Sequence, residues 1–263
     1  MQTARRALFV HGGPGFTCEI ERRWFGESLS MAWWDQPKHT AGAGPWFVAV
    51  TQALAAVVEQ MAATTGRPVS IVAHSYGALL AREVADSLPG QLRELVLLGP
   101  GISLCDQLLR VGRHLLGQRS AGEESTQLSA AIAAASAHPS ADAVLALAGA
   151  ITSLAGWRRA YFSADSVSAY QRYLQVLPEG TVADSPTFAA GVGEHLASPP
   201  DDQASRFQGP VRVLVGRDDV SLDALAVVQF WQRVFPQAGV EFVSAGHMIQ
   251  FELPPELWMP ASD

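Results

Sequence analysis

Cysteine is scarce: the 263 residues hold only Cys18 and Cys105, one just after a Gly-rich turn and the other in a Leu-rich segment. Two thiols so placed offer no ladder of disulfides, which favours a reducing, cytoplasmic setting. A secretory leader is not legible, because Arg5 and Arg6 are followed only by the short apolar run from Ala7 to Val10 before His11. No charge-free apolar run reaches the roughly 18 residues of a membrane helix, and even the apolar region 139–156 carries Asp142, so no membrane partner is expected. There is no Lys/Arg cluster with interleaved aromatics, and the formal net charge is -7, which argues against nucleic acid as a partner. The Asp and His residues lack the clustered spacing of a built zinc site, and neither metal nor cofactor is expected.

What is present is apolar: 48% of the residues are hydrophobic and 16% charged, enough to close a substantial core in one large domain with a smaller insert. Short apolar runs alternate with amphipathic ones over the first hundred residues, the pattern of parallel strands covered by helices. Strands are expected at Ala7 to Val10, Ser30 to Trp34, Val69 to Val72 and Leu92 to Leu98, with a short helix or irregular segment over 17–28. Val50, Leu54, Val57 and Met61 mark one face of a helix running from Trp46 to Thr65, and Leu80, Val84 and Leu88 mark another. From Ser103 to Ser205 the rhythm is helical, broken at Pro139, Gly156 and Pro178-Glu179-Gly180. The strand-helix rhythm resumes with Val211 to Val215, a helix from Leu222 to Phe235 capped by Ser221, and a strand at Val240 to Val243. The expected organisation is an α/β core from 1–101 and 206–263, a mostly parallel sheet flanked by helices, with a helical cap from 102–205.

Four short segments at strand ends carry chemistry. Ala73-His74-Ser75-Tyr76-Gly77 lies between a strand and a helix, where a nucleophile on a strained turn projects clear of the sheet. A serine there is by itself more often a helix cap, so the other segments decide. His11-Gly12-Gly13-Pro14-Gly15 ends an earlier strand, and its glycines let backbone N–H groups face a cavity. The amides of Gly13 and Tyr76 are the expected oxyanion hole, with His11 and Gly12 supporting the turn. In Arg217-Asp218-Asp219-Val220 either aspartate can orient a histidine; Asp219 is preferred because it lies farther into the loop, while Asp218 can cap a turn. His247, after Gly246 at an expected abrupt turn, can take the Ser75 proton and return it to a leaving group.

With these segments in this order, the sequence resembles the α/β-hydrolase superfamily over about 7–100 and 208–256. His11 to Gly15 and Trp34-Asp35-Gln36 are similar to the proline iminopeptidase-like branch. The family habit of using the second residue of an Asp-Asp pair supports Asp219, and Glu252-Leu253-Pro254 matches the usual surroundings of the catalytic histidine. Departures are plain: Ala73 replaces the usual first glycine, Tyr76 stands where the branch carries Trp, and Pro37-Lys38 follows Asp-Gln instead of Arg-Gly. The resemblance also implies a β-hairpin before the first strand. Only ten residues precede His11 and 16 follow His247, so shortened termini are expected, with an unpaired sheet edge that favours a homodimer.

The expected activity is serine hydrolysis of an ester, thioester, lactone or amide bond in a small, largely apolar substrate through an acyl-enzyme. Phe16, Trp157, Tyr161, Phe188 and Met248 are expected to line the pocket, beside Tyr76. Two alternatives accompany this. An iminopeptidase-like aminopeptidase would hold a free amine with cap acids such as Glu123, Glu124, Asp142 or Asp165, and a lyase, transferase or cyclase would use the same triad without water.

Overall fold

A computed structural model describes residues 6–40, 44–179 and 183–261. The expected break at Pro178-Glu179-Gly180 lies partly outside them. Six strands form one sheet: β1 (Ala7–Val10), β2 (Met31–Trp34), β3 (Val69–His74), β4 (Leu92–Leu98), β5 (Val211–Gly216) and β6 (Gly239–Val243). Their order is β2-β1-β3-β4-β5-β6, with every neighbouring pair parallel. β1, β3, β4 and β5 are almost wholly buried, which is why they read as apolar runs without alternation.

The chain steps outward from β1 to β2 and then returns to the other side of β1 to make β3. This reversal opens a crevice at the carboxyl ends of β1 and β3, the place where open parallel sheets bind ligands. Val10 is paired with Ala73, so the residues after each strand emerge side by side. One is the glycine turn and the other the serine elbow.

Helices cover the sheet. α1 (Glu19–Phe25) follows the glycine turn, α2 (Trp46–Thr65) precedes β3, and α3 (Gly77–Ser87) leaves the elbow. By length and composition α2 is apolar enough to cross a membrane, but it contains Glu59 and is not the charge-free run whose absence the sequence shows. Its exposed side is rich in Ala, Thr and Gln and carries Glu59, while Trp46, Val50, Leu54 and Val58 are buried in the core as a sheet-covering helix requires.

Between β4 and β5 lie α4 (Leu104–Gly117), α5 (Glu123–Ala137), α6 (Ala141–Thr152), a 3-10 turn at Trp157–Tyr161, α7 (Val167–Val176) and α8 (Ser185–Ala197). The described part of this insertion contains no strand, only an isolated bridge from Ala183 to Phe16. α8 is seated on the core by a carboxylate: Glu194 accepts the Trp46 N–H at 2.6 Å and the Phe47 N–H at 2.8 Å. These are unsatisfied donors of the first turn of α2, where Pro45 supplies no side-chain cap and a negative charge is favoured.

After β5 the helix α9 runs over Ala224–Val234, and its cap is Asp223, whose side chain accepts the Ala226 N–H. The expected cap, Ser221, is drawn instead into the loop before the helix by a stronger acceptor, Asp219. The chain then passes β6, α10 (Ile249–Glu252) and a 3-10 turn at Pro255–Leu257.

Candidate active site

Ser75 is the only non-glycine described residue with a positive φ, at 52°. Such a conformation costs on the order of 1–3 kcal/mol and persists only when its surroundings impose it. Here the Ser75 N–H is tied to the Leu98 carbonyl at 2.9 Å, and its carbonyl accepts the Ala78 N–H as α3 begins. Gly12 lies directly against it: a Cβ added there would stand 2.8 Å from Ser75 Cβ and 3.0 Å from His74 Nδ1. The glycine is therefore a close-approach residue, and the turn's next residue, Gly13, has a φ of 67°.

The turn is held from below. Gln36 bridges its two ends, its Oε1 accepting the Gly15 N–H at 3.1 Å and its Nε2 donating to the His11 carbonyl at 3.3 Å. His11 hydrogen-bonds the Gly12 carbonyl through Nδ1 at 2.8 Å, and burial lowers its pKa to about 4, which keeps the ring neutral. Asp35 accepts the Cys18 N–H at 2.7 Å and pairs with Arg22. Among the described residues His11, Cys18 and Asp35 are close enough to share a cation. Each also has partners within the protein: the Cys18 thiol donates to the Trp34 carbonyl at 3.1 Å, and burial pushes its pKa up. This group braces the turn.

His247 Nε2 lies 3.0 Å from Ser75 Oγ, and its Nδ1 lies 2.7 Å from Asp219 Oδ2. The histidine and aspartate side chains are 5% and 1% exposed, so water cannot compete for that contact. Asp218, the alternative aspartate, points elsewhere and accepts the Ser163 hydroxyl at 2.7 Å. The loop holding the two aspartates follows β5 and is tied to the end of β6, with the Arg217 and Asp218 N–H groups donating to the carbonyls of Val243 and Ala245.

The backbone of His247 is fixed by contacts from far along the chain. Its N–H donates to the Tyr161 carbonyl at 2.8 Å, and its carbonyl lies 3.0 Å from His74 Nε2. Burial, then the nearby His247, holds the His74 pKa well below the ordinary histidine value, so it acts as a neutral donor. Glu252 clamps the same loop to the insertion, accepting the Gly246 N–H at 2.9 Å and the Ser163 N–H at 2.8 Å. The expected reason for Gly246 is corrected by this contact. Its φ is not positive; it is glycine because a Cβ would meet backbone atoms of Tyr161, Phe162 and Ser163, each at 2.7 Å.

The expected pocket residues are spread more widely than their shared apolar character implies. The Tyr161 ring lies 5.5 Å from the His247 ring, and Trp157 is one step farther, 5.9 Å from Tyr161. The Phe16 ring packs beneath Gly13, within 2.4 Å of where a Cβ would stand. Phe188 and Met248 are half-buried against apolar clusters. Tyr76 turns its ring sideways, 2% exposed, between Trp46, Phe47 and His195. An elbow backbone fixed by strand and helix leaves its side chain no route back over Ser75.

Three residues beyond His247 lies an acid-amide pair. Gln250 Nε2 donates to Glu21 Oε1 at 3.3 Å, while Gln250 Oε1 is buried without a partner among the described residues. Burial pushes the Glu21 pKa up from 4.5 to about 7; Arg22 opposes the shift and Asp35 adds to it. A raised carboxyl pKa contributes stability that is fully present below pH 4.5 and is lost as pH rises through about 7. Glu21→Gln removes this titration and supplies a donor for the Gln250 oxygen. Its stability relative to the parent is expected to rise by about 3 kcal/mol between pH 4 and pH 8, measured by urea unfolding. Parallel pH curves for the two proteins would refute it.

Residues 7–258 match the sequence profile of the alpha/beta hydrolase family. Among curated proteins, no sequence matches. The fold is shared with a proline iminopeptidase-related protein from Thermus thermophilus (TM-score 0.62, 19% identity, covering 97% of this chain and 87% of that one). It is similar also to MenH from S. aureus (0.61, 14%, 98% and 91%) and to a thermophilic esterase from Thermogutta terrifontis (0.59, 16%, 95% and 85%). With the profile spanning nearly the whole chain and a six-stranded parallel sheet flanked by helices beneath it, this protein belongs to the alpha/beta hydrolase family.

Proposed function

We propose that the protein is a serine hydrolase in which Ser75 is the nucleophile, His247 the base and Asp219 the orienting acid. The observation that carries this reading is the unbroken path of short contacts, 2.7 Å from Asp219 to His247 and 3.0 Å from His247 to Ser75. Ser75 Oγ attacks the substrate carbonyl as its proton passes to His247 Nε2, and the N–H groups of Gly13 and Tyr76 receive the developing oxyanion. His247 returns the proton to the leaving group. Water then attacks the acyl-enzyme, giving its proton to His247, and Ser75 is released. Asp219 holds the Nδ1–H tautomer and stabilises the imidazolium throughout.

The substrate is a small, largely apolar ester, thioester, lactone or amide, taken beneath a helical cap formed by 102–205. Glu123, Glu124, Asp142 and Asp165 are all exposed, and Glu124 is paired with Arg119. Glu194, the acid of α8 nearest the core, is spent on the amides of α2. This distribution supports a substrate without a free amine and disfavours the aminopeptidase alternative.

A fluorophosphonate probe, followed by a panel of p-nitrophenyl esters, thioesters, lactones and Pro-arylamides, tests both parts. Native protein is expected to be labelled on Ser75 and to release acid from short acyl esters but not proline from the arylamide. Failure of the probe to label natively folded protein would sink the nucleophile assignment. Cleavage of Pro-arylamide alone would restore the peptidase reading.

A further inference from the structure

We propose that Ser221 is a positioning residue for this chemistry, acting on His247 through Asp219; the inference rests on the triad reading above. Asp219 divides its two oxygens between two tasks. Oδ2 faces His247 Nδ1 at 2.7 Å, while Oδ1 accepts both the Ser221 hydroxyl at 2.6 Å and the Ser221 N–H at 2.9 Å. The terminal torsion of an aspartate is broad, so a single contact to histidine would leave the carboxylate free to swing about it. Two donors on the other oxygen fix its plane.

The two donors differ in what they ask of the sequence. The Ser221 N–H closes a turn onto the aspartate two residues earlier, a contact open to any residue but proline. The hydroxyl bond is specific to this side chain. Ser221 is 1% exposed, so no water can replace it, and its oxygen lies 3.1 Å from His247 Nδ1. With its hydrogen directed to Oδ1, that oxygen turns a lone pair toward the Nδ1–H and favours the tautomer the base requires. Nor is the hydroxyl needed for α9, since Asp223 caps that helix. Removing it thus leaves the turn and the helix cap in place.

The test is a double-mutant cycle on four proteins, parent, Ser221→Ala, Asp219→Ala and the double variant, read by the rate of fluorophosphonate labelling and by kcat and KM on p-nitrophenyl acetate. Ser221→Ala is expected to lower kcat and the labelling rate by about tenfold, the scale of one hydrogen bond to a charged group, with KM unchanged. In the Asp219→Ala background the same change is expected to alter the labelling rate by less than about twofold, because the group it acts through is gone. Ser221→Cys keeps the volume with a weaker donor and is expected to lose activity likewise, which separates a lost donor from a packing defect. Equal losses in both backgrounds, or unchanged kcat in Ser221→Ala, would overturn the inference while leaving the triad standing. Absence of labelling in the parent protein would overturn both.

Discussion

Ser75→Ala is expected to lower kcat/KM on a p-nitrophenyl ester by about 10⁴-fold or more and to abolish fluorophosphonate labelling, with the fold intact. Alanine keeps the Cβ that packs against Gly12, so neither the elbow nor the glycine turn is disturbed. His247→Ala is expected to reduce activity about as severely, and the double variant no further, because nucleophile and base act as one unit. The two differ in stability. Ser75→Ala takes away one hydroxyl that is 3.0 Å from its partner. His247→Ala strands the Asp219 carboxylate, 1% exposed, without its partner on Oδ2 and opens a cavity beside His74 and Tyr161. Such losses cost about 3 kcal/mol or more, so thermal unfolding should fall clearly for the histidine variant and little for the serine one. Retained labelling in Ser75→Ala would mean that the probe reads a different nucleophile.

Much of this arrangement is legible locally. β1 and β4 have the expected bounds because each is a short, mainly apolar segment with a glycine- and proline-rich turn close behind it, His11-Gly12-Gly13-Pro14 and Gly99-Pro100, a signal that needs no tertiary context. Ser75 and His247 are likewise announced by their own neighbours, small residues at the ends of strands. What local reading misses is whatever depends on partners far along the chain. Loop position and family habit favour Asp219 over Asp218, but what occupies Asp218 cannot be read locally: Ser163, 55 positions earlier, donates its hydroxyl to it. Ser221 is a residue type favoured as a helix cap, yet its hydroxyl goes to the carboxylate two residues before it, and Asp223 caps the helix instead. Glu252 is visible as part of a family pattern, but its clamp on Ser163 joins elements 89 residues apart. The aromatic side chains near the site can be named as apolar, not aimed: the direction of Tyr76 is set by Trp46 and Phe47 on another helix.

Gly246→Ala is expected to separate His247 from Ser75 without touching either. The added methyl would stand 2.7 Å from the carbonyl of Tyr161, the carbonyl carbon of Phe162 and the amide of Ser163. None of these can swing aside as a flexible side chain would. The Tyr161 carbonyl is itself the acceptor for the His247 and Met248 N–H groups, and the Ser163 amide is held by Glu252. The methyl therefore wedges apart the two backbones whose contact places the imidazole. A shift of about 1 Å in a reacting group costs on the order of 10²-fold, and overpacking against backbone costs about 1–3 kcal/mol. Both losses are expected together, in kcat/KM on p-nitrophenyl acetate and in the urea midpoint. Gly149→Ala supplies the contrast. Gly149 is exposed within α6 with nothing within 4 Å of its added Cβ, so the same substitution should gain about 1 kcal/mol and leave kcat/KM unchanged. If Gly246→Ala lost stability but kept full activity, the contact with the insertion would matter for folding and not for the histidine. Full activity at normal stability would mean that the insertion yields freely and does not hold His247 at all.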